Sequence, residues 1–245
     1  MVSKSYSRLG SARSIDYILS DKELGPSEEL GRQGIVGANG KEILSEFRFI
    51  QRTNKRCFNN TISLIISPAP DDAVKLNNKQ LKKILESQLS HLGLSEHQYI
   101  STVHRSTGKP HIHAIINRIH PISGRAINDS YLSKRAQSGA EQIAIAMGLQ
   151  TARQIQNETK ARTRKLKEKV LSRLKRGDVK NWSQFLRAME GIGLKIEIVK
   201  SKIENKVNGY KINEYKASEI DRSLTLTRIE ETLQKFSNNQ RVIRR

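Results

Sequence analysis

The 245-residue chain carries 44 Lys and Arg against 24 Asp and Glu, a formal charge of +20, and is 36% hydrophobic with 5% aromatic residues. So large a basic excess points to a polyanionic partner, nucleic acid first and an anionic membrane surface second, and the hydrophobic content fills one modest core rather than two large ones. No apolar run approaches the roughly 20 residues of a spanning helix, the start lacks an apolar signal segment, and the single cysteine, Cys57, excludes an internal disulfide framework and fits a reducing compartment: the expectation is a cytoplasmic protein without membrane insertion.

"SARSIDYILSDKEL" opens with Ser11 as a plausible N-cap and places Ile15, Ile18 and Leu19 at helical spacing. "LGPSEELGRQGIVGANGK" is punctuated by Gly, Pro and Asn and reads as a long surface loop. "NNTISLIISPAP" predicts a short strand ended by prolines. "NNKQLKKILESQLSHLGL" gathers Leu81, Ile84, Leu85, Leu89 and Leu92 on one helical face, closed by Gly93. "QYISTVH" and "PHIHAIINRI" are β-rich runs separated by "RSTGK", a hairpin with a longer loop. "SYLSKRAQSGAEQIAIAMGL" is again helical, closed by Gly148. The order predicts an α+β domain over residues 1–150, an antiparallel sheet with helices packed on one face.

After about residue 150 the composition shifts, and residues 151–245 read as a basic extension of helices and a hairpin. Between Arg153 and Arg176 stand ten basic residues against two acidic, with no Pro or Gly. Arg153, Lys160, Arg162, Arg164, Lys165, Lys167, Lys169 and Arg173 are candidate DNA-backbone contacts; the plainer alternative is a solvated helix face. "WSQFLRAMEGIGLKIEIV" predicts a helix ending at Gly191 or Gly193 and running into a strand. Asn208-Gly209 signals a hairpin turn, and the tail "RVIRR" reads as frayed.

The chemistry concentrates in the predicted hairpin. Residues two apart on a strand share a face, roughly 6.5 to 7 Å apart, so His111 and His113 stand together on the open face, opposite Ile112, Ala114 and Ile116, which pack under helices. If "RSTGK" turns the chain back, His104 joins them from the neighbouring strand. Three imidazoles with further coordination positions open fit a catalytic metal, because a closed structural zinc would want a fourth ligand. His91, His97 and His120 read as ordinary residues. Three imidazoles by themselves suit a borderline ion such as Zn²⁺ or Mn²⁺. With a nucleic-acid partner the natural chemistry is phosphoryl transfer, which needs a nucleophile. No P-loop-like cradle or reactive-cysteine context is present. A tyrosine suits strand cleavage, because its phenoxide leaves readily on reversal. Tyr17 lies off the apolar stripe of the first helix; Tyr6 is the competing candidate.

These residues resemble the relaxases, the mobilisation nucleases of the HUH superfamily. The likeness rests on His111-Ile112-His113 preceded by His104, at spacings of seven and nine residues, on the proline before the pair and on "AIINR" after it. "SARSIDYILSDK" is similar to the family's first motif, whose tyrosine position falls on Tyr17. "FLRAMEGIGLKIEI" and "NGYKINEYKASEIDRSLT" look like its downstream segment, so the likeness spans about residues 3–230. It implies a five-stranded antiparallel sheet flanked by helices, in a bacterial cytoplasmic enzyme that nicks and religates single-stranded DNA at an origin of transfer. The nucleophile would be Tyr17, leaving a 5′-phosphotyrosyl adduct and a free 3′-hydroxyl, with an accessory mobilisation protein and a coupling protein as partners. The metal so implied is Mg²⁺ or Mn²⁺, and Mn²⁺ satisfies both arguments. Where many members carry an acidic residue two positions after the first histidine, this chain has Ser106, and the preceding strand offers only Asn60 or Ser63. Backbone carbonyls or Asp16 are then the candidates to orient the imidazoles. Two alternatives stand beside this reading. One is a rolling-circle replication initiator or transposase of the same superfamily, with Tyr131 as nucleophile. The other is a non-catalytic single-stranded nucleic-acid-binding protein.

Overall fold

The computed structural model describes residues 1–21, 24–200 and 207–243, with side chains to residue 237. The chain divides into two compact units, Met1–Ile155 and Gln156–Arg245.

The first unit runs β1 (Val2–Arg8), α1 (Ala12–Leu19), β2 (Glu28–Gln33), α2 (Gly40–Gln51), β3 (Thr61–Ser67), α3 (Pro70–Ala73), α4 (Asn78–Leu92), β4 (Tyr99–His104), β5 (His111–Asn117) and α5 (Leu132–Ala146). Its five strands form one antiparallel sheet in the order β1-β3-β5-β4-β2. Alternation on the three central strands sends Ile62, Leu64, Ile66, Val103, Ile112, Ala114 and Ile116 to one face, where α4 and α5 cover them. α4 is bounded as its sequence dictates: Asn77 and Gln80 form a capping box, and Gly93 takes the left-handed φ of 74° that closes the helix.

The expectation of helices on one face is corrected. On the other face Ile100 and Ile115 pack against Ile15 and Ile18 of α1 and Ile43, Leu44 and Phe47 of α2. Two strands and two helices also lie where none was predicted, the four-residue α3 among them, and β1, β2 and α2 each hide for a local reason. β1 turns Ser3 and Ser5 inward, small polar residues whose Oγ atoms donate to the carbonyls of Ile65 and Ser63, so no apolar alternation shows. The expected loop at 24–41 contains β2, an edge strand with acidic residues and a bulge between Glu29 and Gly31. Asn39-Gly40 in the same stretch is the N-cap and first residue of α2, not loop punctuation; the Asn39 side chain accepts from the N–H of Lys41 and Glu42.

The second unit contains most of α6 (Ala152–Leu174), then α7 (Trp182–Glu190), β6 (Ile196–Lys200), β7 (Val207–Ile212), β8 (Tyr215–Lys216), α8 (Ala217–Ile220) and α9 (Leu226–Ile243). Val170 and Leu174 of α6, Phe185 and Met189 of α7, Tyr210 and Ile212 of β7 and Ile229 and Leu233 of α9 share one core. Asn208-Gly209 lies inside β7 and makes no turn. The turn to β8 falls at Asn213, whose φ of 53° an asparagine tolerates better than most residues. The tail expected to fray is helical through Ile243, and Arg244 and Arg245 lie outside the described residues.

Candidate metal centre

The β4–β5 hairpin sets His104 directly opposite His111, and Thr102 opposite His113. The turn between the strands uses Gly108 at a φ of 66°. Ring centroids lie 4.4 Å apart for His104 and His113, 4.8 Å for His111 and His113, and 5.6 Å for His104 and His111. One ring nitrogen from each lies within 4.8 Å of the others. The cluster is not displayed on an open face, as the sequence suggested. His104 and His113 are 3% and 7% exposed, and only His111 is partly open to solvent.

Backbone carbonyls fix two of the three imidazoles. His104 Nε2 lies 2.9 Å from the carbonyl oxygen of Ile18, and His111 Nδ1 lies 2.9 Å from that of Lys109. Each ring then donates from one nitrogen and keeps a lone pair on the other. The Ile18 oxygen also accepts from Thr102 Oγ1 at 2.6 Å and Ser27 Oγ at 2.5 Å, which docks the last turn of α1 onto β4. The expected role for backbone carbonyls is therefore met. The expected role for Asp16 is not: its carboxylate accepts from the Gly40 N–H at the start of α2, 2.6 Å away. Asn60 instead holds the Gly10 N–H, and Ser63 pairs with Ile115, so neither orients a histidine.

The carboxylate at the site is Asp21, which the sequence did not single out. It is 3% exposed and accepts from the N–H of Arg105 at 2.6 Å, the N–H of Ser106 at 3.1 Å and Ser106 Oγ at 2.6 Å. Its Oδ1 is 4.0 Å from His104 Nδ1. Burial pushes this carboxyl up, but the Ser106 hydroxyl, the two backbone donors and His104 together hold it below the usual carboxylate range. Ser106 thus stands where an acid was expected and binds one instead. An acidic residue two positions beyond the first helix was the only signal available in the sequence.

The donor set fits a divalent cation. His113 Nε2 is buried without a hydrogen-bond partner among the described residues, which costs roughly 1–3 kcal/mol unless something accepts its lone pair. Burial, followed by the neighbouring His104 and His111, lowers the His113 pKa to about 3, which keeps the ring neutral and able to ligate. The three nitrogens would have to draw together by about 1 Å to share an ion at normal bond lengths.

Tyr17, on α1 one residue before the Ile18 anchor, is half exposed, with its ring centroid 5.8 Å from that of His104 and 6.0 Å from that of His113. Tyr6, on β1, lies in the row of Ser63 and Ile115 rather than that of His113, and Arg8 stacks on it at 5.6 Å. Tyr131 caps α5 with a φ of 54°, exposed and beneath Lys134; no histidine ring neighbours it among the described residues. His97 Nδ1 donates to the Asn117 carbonyl, 2.8 Å away, and the ring packs edge-on against His120 at 5.3 Å, both outside the cluster.

The nominated basic residues all lie on α6. Arg153, Lys160, Arg162, Arg164, Lys165 and Lys169 are exposed. Lys167 and Arg173 are half-buried and engaged, Lys167 with Asp221 at 2.7 Å and Arg173 with Asp178 at 2.6 Å. Arg164 pairs with Glu168 at 2.9 Å on the helix surface.

Residues 17–149 match the family model described as relaxase, MobA/VirD2-like, nuclease domain. Two proteins named TraI from Escherichia coli are similar: one is 30% identical over 129 residues, the other 34% over 97. These alignments cover 51% and 39% of this chain but only 17% and 13% of those relatives. No described helix is long and apolar enough to cross a membrane.

Proposed function

The chain belongs to the MobA/VirD2-like relaxase family, and from that premise we propose that it nicks and rejoins single-stranded DNA at an origin of transfer, initiating mobilisation in a bacterial cytoplasm. The observation that carries this reading is the placement of the Tyr17 ring against His104 and His113. His104, His111 and His113 would hold Mn²⁺ or Mg²⁺, which when bound polarises a non-bridging phosphate oxygen and offsets charge in the transition state.

The chain's own residues supply the rest. The Ile18 carbonyl pins α1 to β4 and so holds Tyr17 beside the histidines, where the scissile phosphate would bind. Tyr17 Oη forms a bond to phosphorus while the bond from phosphorus to the 3′-oxygen breaks. The phenolic proton is lost to solvent or a base and one proton is gained by the departing oxygen. A 5′-phosphotyrosyl adduct and a 3′-hydroxyl remain, and reversal rejoins the strand. The exposed basic residues of α6 would track DNA backbone, with residues 1–150 as the nuclease domain and 151–245 as a DNA-binding extension. An accessory mobilisation protein and a coupling protein would be further partners.

Incubation with single-stranded origin DNA and Mn²⁺ tests this: a protein–DNA band should survive denaturation, and peptide mapping should place the nucleotide on the peptide containing Tyr17. Tyr17→Phe should retain DNA binding and lose at least about a thousandfold in adduct formation. A nucleotide on Tyr131 would move the protein to the replication-initiator reading. Binding without an adduct under any metal condition would make it a non-catalytic binding protein.

A further inference from the structure

At the far end of the sheet from the histidines, α2 ends in the sequence "FRFIQRTNKRCFNN", residues 47–60, with four basic residues and no acidic one. Phe47 is buried in the core, but Phe49 is 73% exposed and Phe58 is 82% exposed. Arg48, Arg52, Lys55 and Arg56 are exposed between and beside them, and none makes an ion pair among the described residues.

This surface is held in shape. The N–H groups of Arg52, Thr53, Asn54 and Cys57 bond back to the carbonyls of Arg48, Ile50, Gln51 and Asn54, a run of consecutive turns. Asn54 Nδ2 donates to the Gly124 carbonyl at 3.0 Å and Arg118 donates to the Asn59 carbonyl at 3.1 Å, tying the loop to the segment after β5. The side chain of Gln51 reaches Asn117 at 3.3 Å, at the end of β5. Four residue steps along β5 separate Asn117 from His113, roughly 13 Å. The patch is thus outside the metal centre yet on the same unit.

Two phenylalanines kept in water between unpaired cations suit a partner that offers flat apolar faces and regularly spaced negative charge. A single nucleic-acid strand has both, whereas a duplex hides its base faces and an acidic protein lacks the charge spacing. The negative carbonyl end of α2 is offset by Arg48 and Arg52, which leaves Lys55 and Arg56 as the cations free to meet phosphates. We propose that Phe49, Phe58, Lys55 and Arg56 form a second binding surface for single-stranded DNA, with bases stacked on the two phenyl rings. The proposal rests on the single-strand substrate of the reading above, but not on cleavage.

The test is fluorescence anisotropy with labelled oligo(dT) of about 16 nucleotides, in chelator so that no adduct forms. A duplex of equal length and anionic phosphatidylserine vesicles are run alongside. Phe49→Ala with Phe58→Ala should weaken oligo(dT) binding about tenfold or more and leave the duplex little changed. Lys55→Gln with Arg56→Gln should flatten the salt dependence by roughly 0.7 log units per log salt for each phosphate no longer neutralised. Both pairs are exposed, and thermal melts should match wild type. Oligo(dT) binding within twofold of wild type in the phenylalanine pair overturns the proposal. So does equal weakening on duplex, which would make the patch a row of simple phosphate-binding cations, and so does an effect confined to vesicles, which would assign it to a membrane surface. An adduct at Tyr17 with unaffected oligo(dT) binding sinks this surface alone. Weakened oligo(dT) binding with no adduct from origin DNA sinks the nuclease reading and leaves the surface standing.

Discussion

The histidine cluster and the basic residues of α6 are the two stretches singled out from one sequence, and they are built on opposite physical terms. The cluster is buried, converges from two strands and a helix end, and orients its rings through carbonyls of Ile18 and Lys109. The basic residues of α6 repeat along one helix, and six of the eight nominated ones are exposed. In the first, function depends on geometry to fractions of an ångström, so removal of one group disables the whole. In the second, each charge adds a similar screened increment, so effects should accumulate by number. Lys167 and Arg173 fall between these types. They are basic by sequence, but they are used to hold Asp221 and Asp178 within the second unit.

Among changes to the histidine cluster and to α6, the largest effect expected is at His113. His113→Ala should lower metal affinity and adduct formation by at least about a hundredfold, measured by calorimetric metal titration and by the covalent-band assay. His104→Ala and His111→Ala should behave alike, and His120→Ala should leave both readouts near wild type. Cleavage near wild type in either strand-β5 variant would undo the contrast, because the cluster would then be as tolerant as a charged surface.

Asp21→Asn comes next. It keeps the shape and removes the charge beside His104, so metal affinity should fall about tenfold to a hundredfold with the fold retained. The measurement is metal titration beside a urea melt. An unchanged metal affinity would reduce Asp21 to a cap on the 105–106 turn.

A pH experiment tests the same difference on the metal-free protein. The folded-state pKa of His113 is depressed to about 3, below the roughly 6.5 of an unfolded histidine. Its contribution is therefore fully present above pH 6.5 and is lost as pH falls from there toward 3, because the unfolded chain takes up the proton first. Asp21 is also depressed, by hydrogen bonds that outweigh burial, so its contribution is lost only below the ordinary carboxylate range near 3.8. Urea melts at stepped pH should show stability declining from about pH 6.5. In His113→Gln that upper limb should become shallower, with the remainder from His97, whose pKa burial also lowers, while the loss near the carboxylate range persists.

The smallest effects belong to α6. Arg164→Gln, Lys165→Gln and Lys169→Gln together should flatten the salt dependence of single-strand binding by about 2 log units per log salt if all three meet phosphates. The weakening should be nearly equal across sequences. Lys167→Ala should act on stability instead, by about 1 kcal/mol or less, since its half-exposed pair with Asp221 is screened by solvent. Filter binding across a salt series and a thermal melt separate the two outcomes. An unchanged slope returns α6 to a solvated face.

The features legible in the amino-acid order were local and periodic. Alternation put His111 and His113 on one face; the short "RSTGK" connection brought His104 across; Ser11 and the Ile15–Ile18 stripe defined α1 and left Tyr17 outward. Those signals survive because a strand repeats every two residues and a helix every 3.6, whatever the rest of the chain does. The folded arrangement decided that helices cover both faces of the sheet, that His104 and His113 are buried, and that Asp21 rather than Asp16 stands beside them. The hydrogen bonds responsible join residues 84 to 86 positions apart. Ile18 takes part through its carbonyl oxygen, a group every residue possesses. An acceptor that any residue would have supplied leaves no mark in the amino-acid order, so only the folded chain could show which carbonyl holds the histidine.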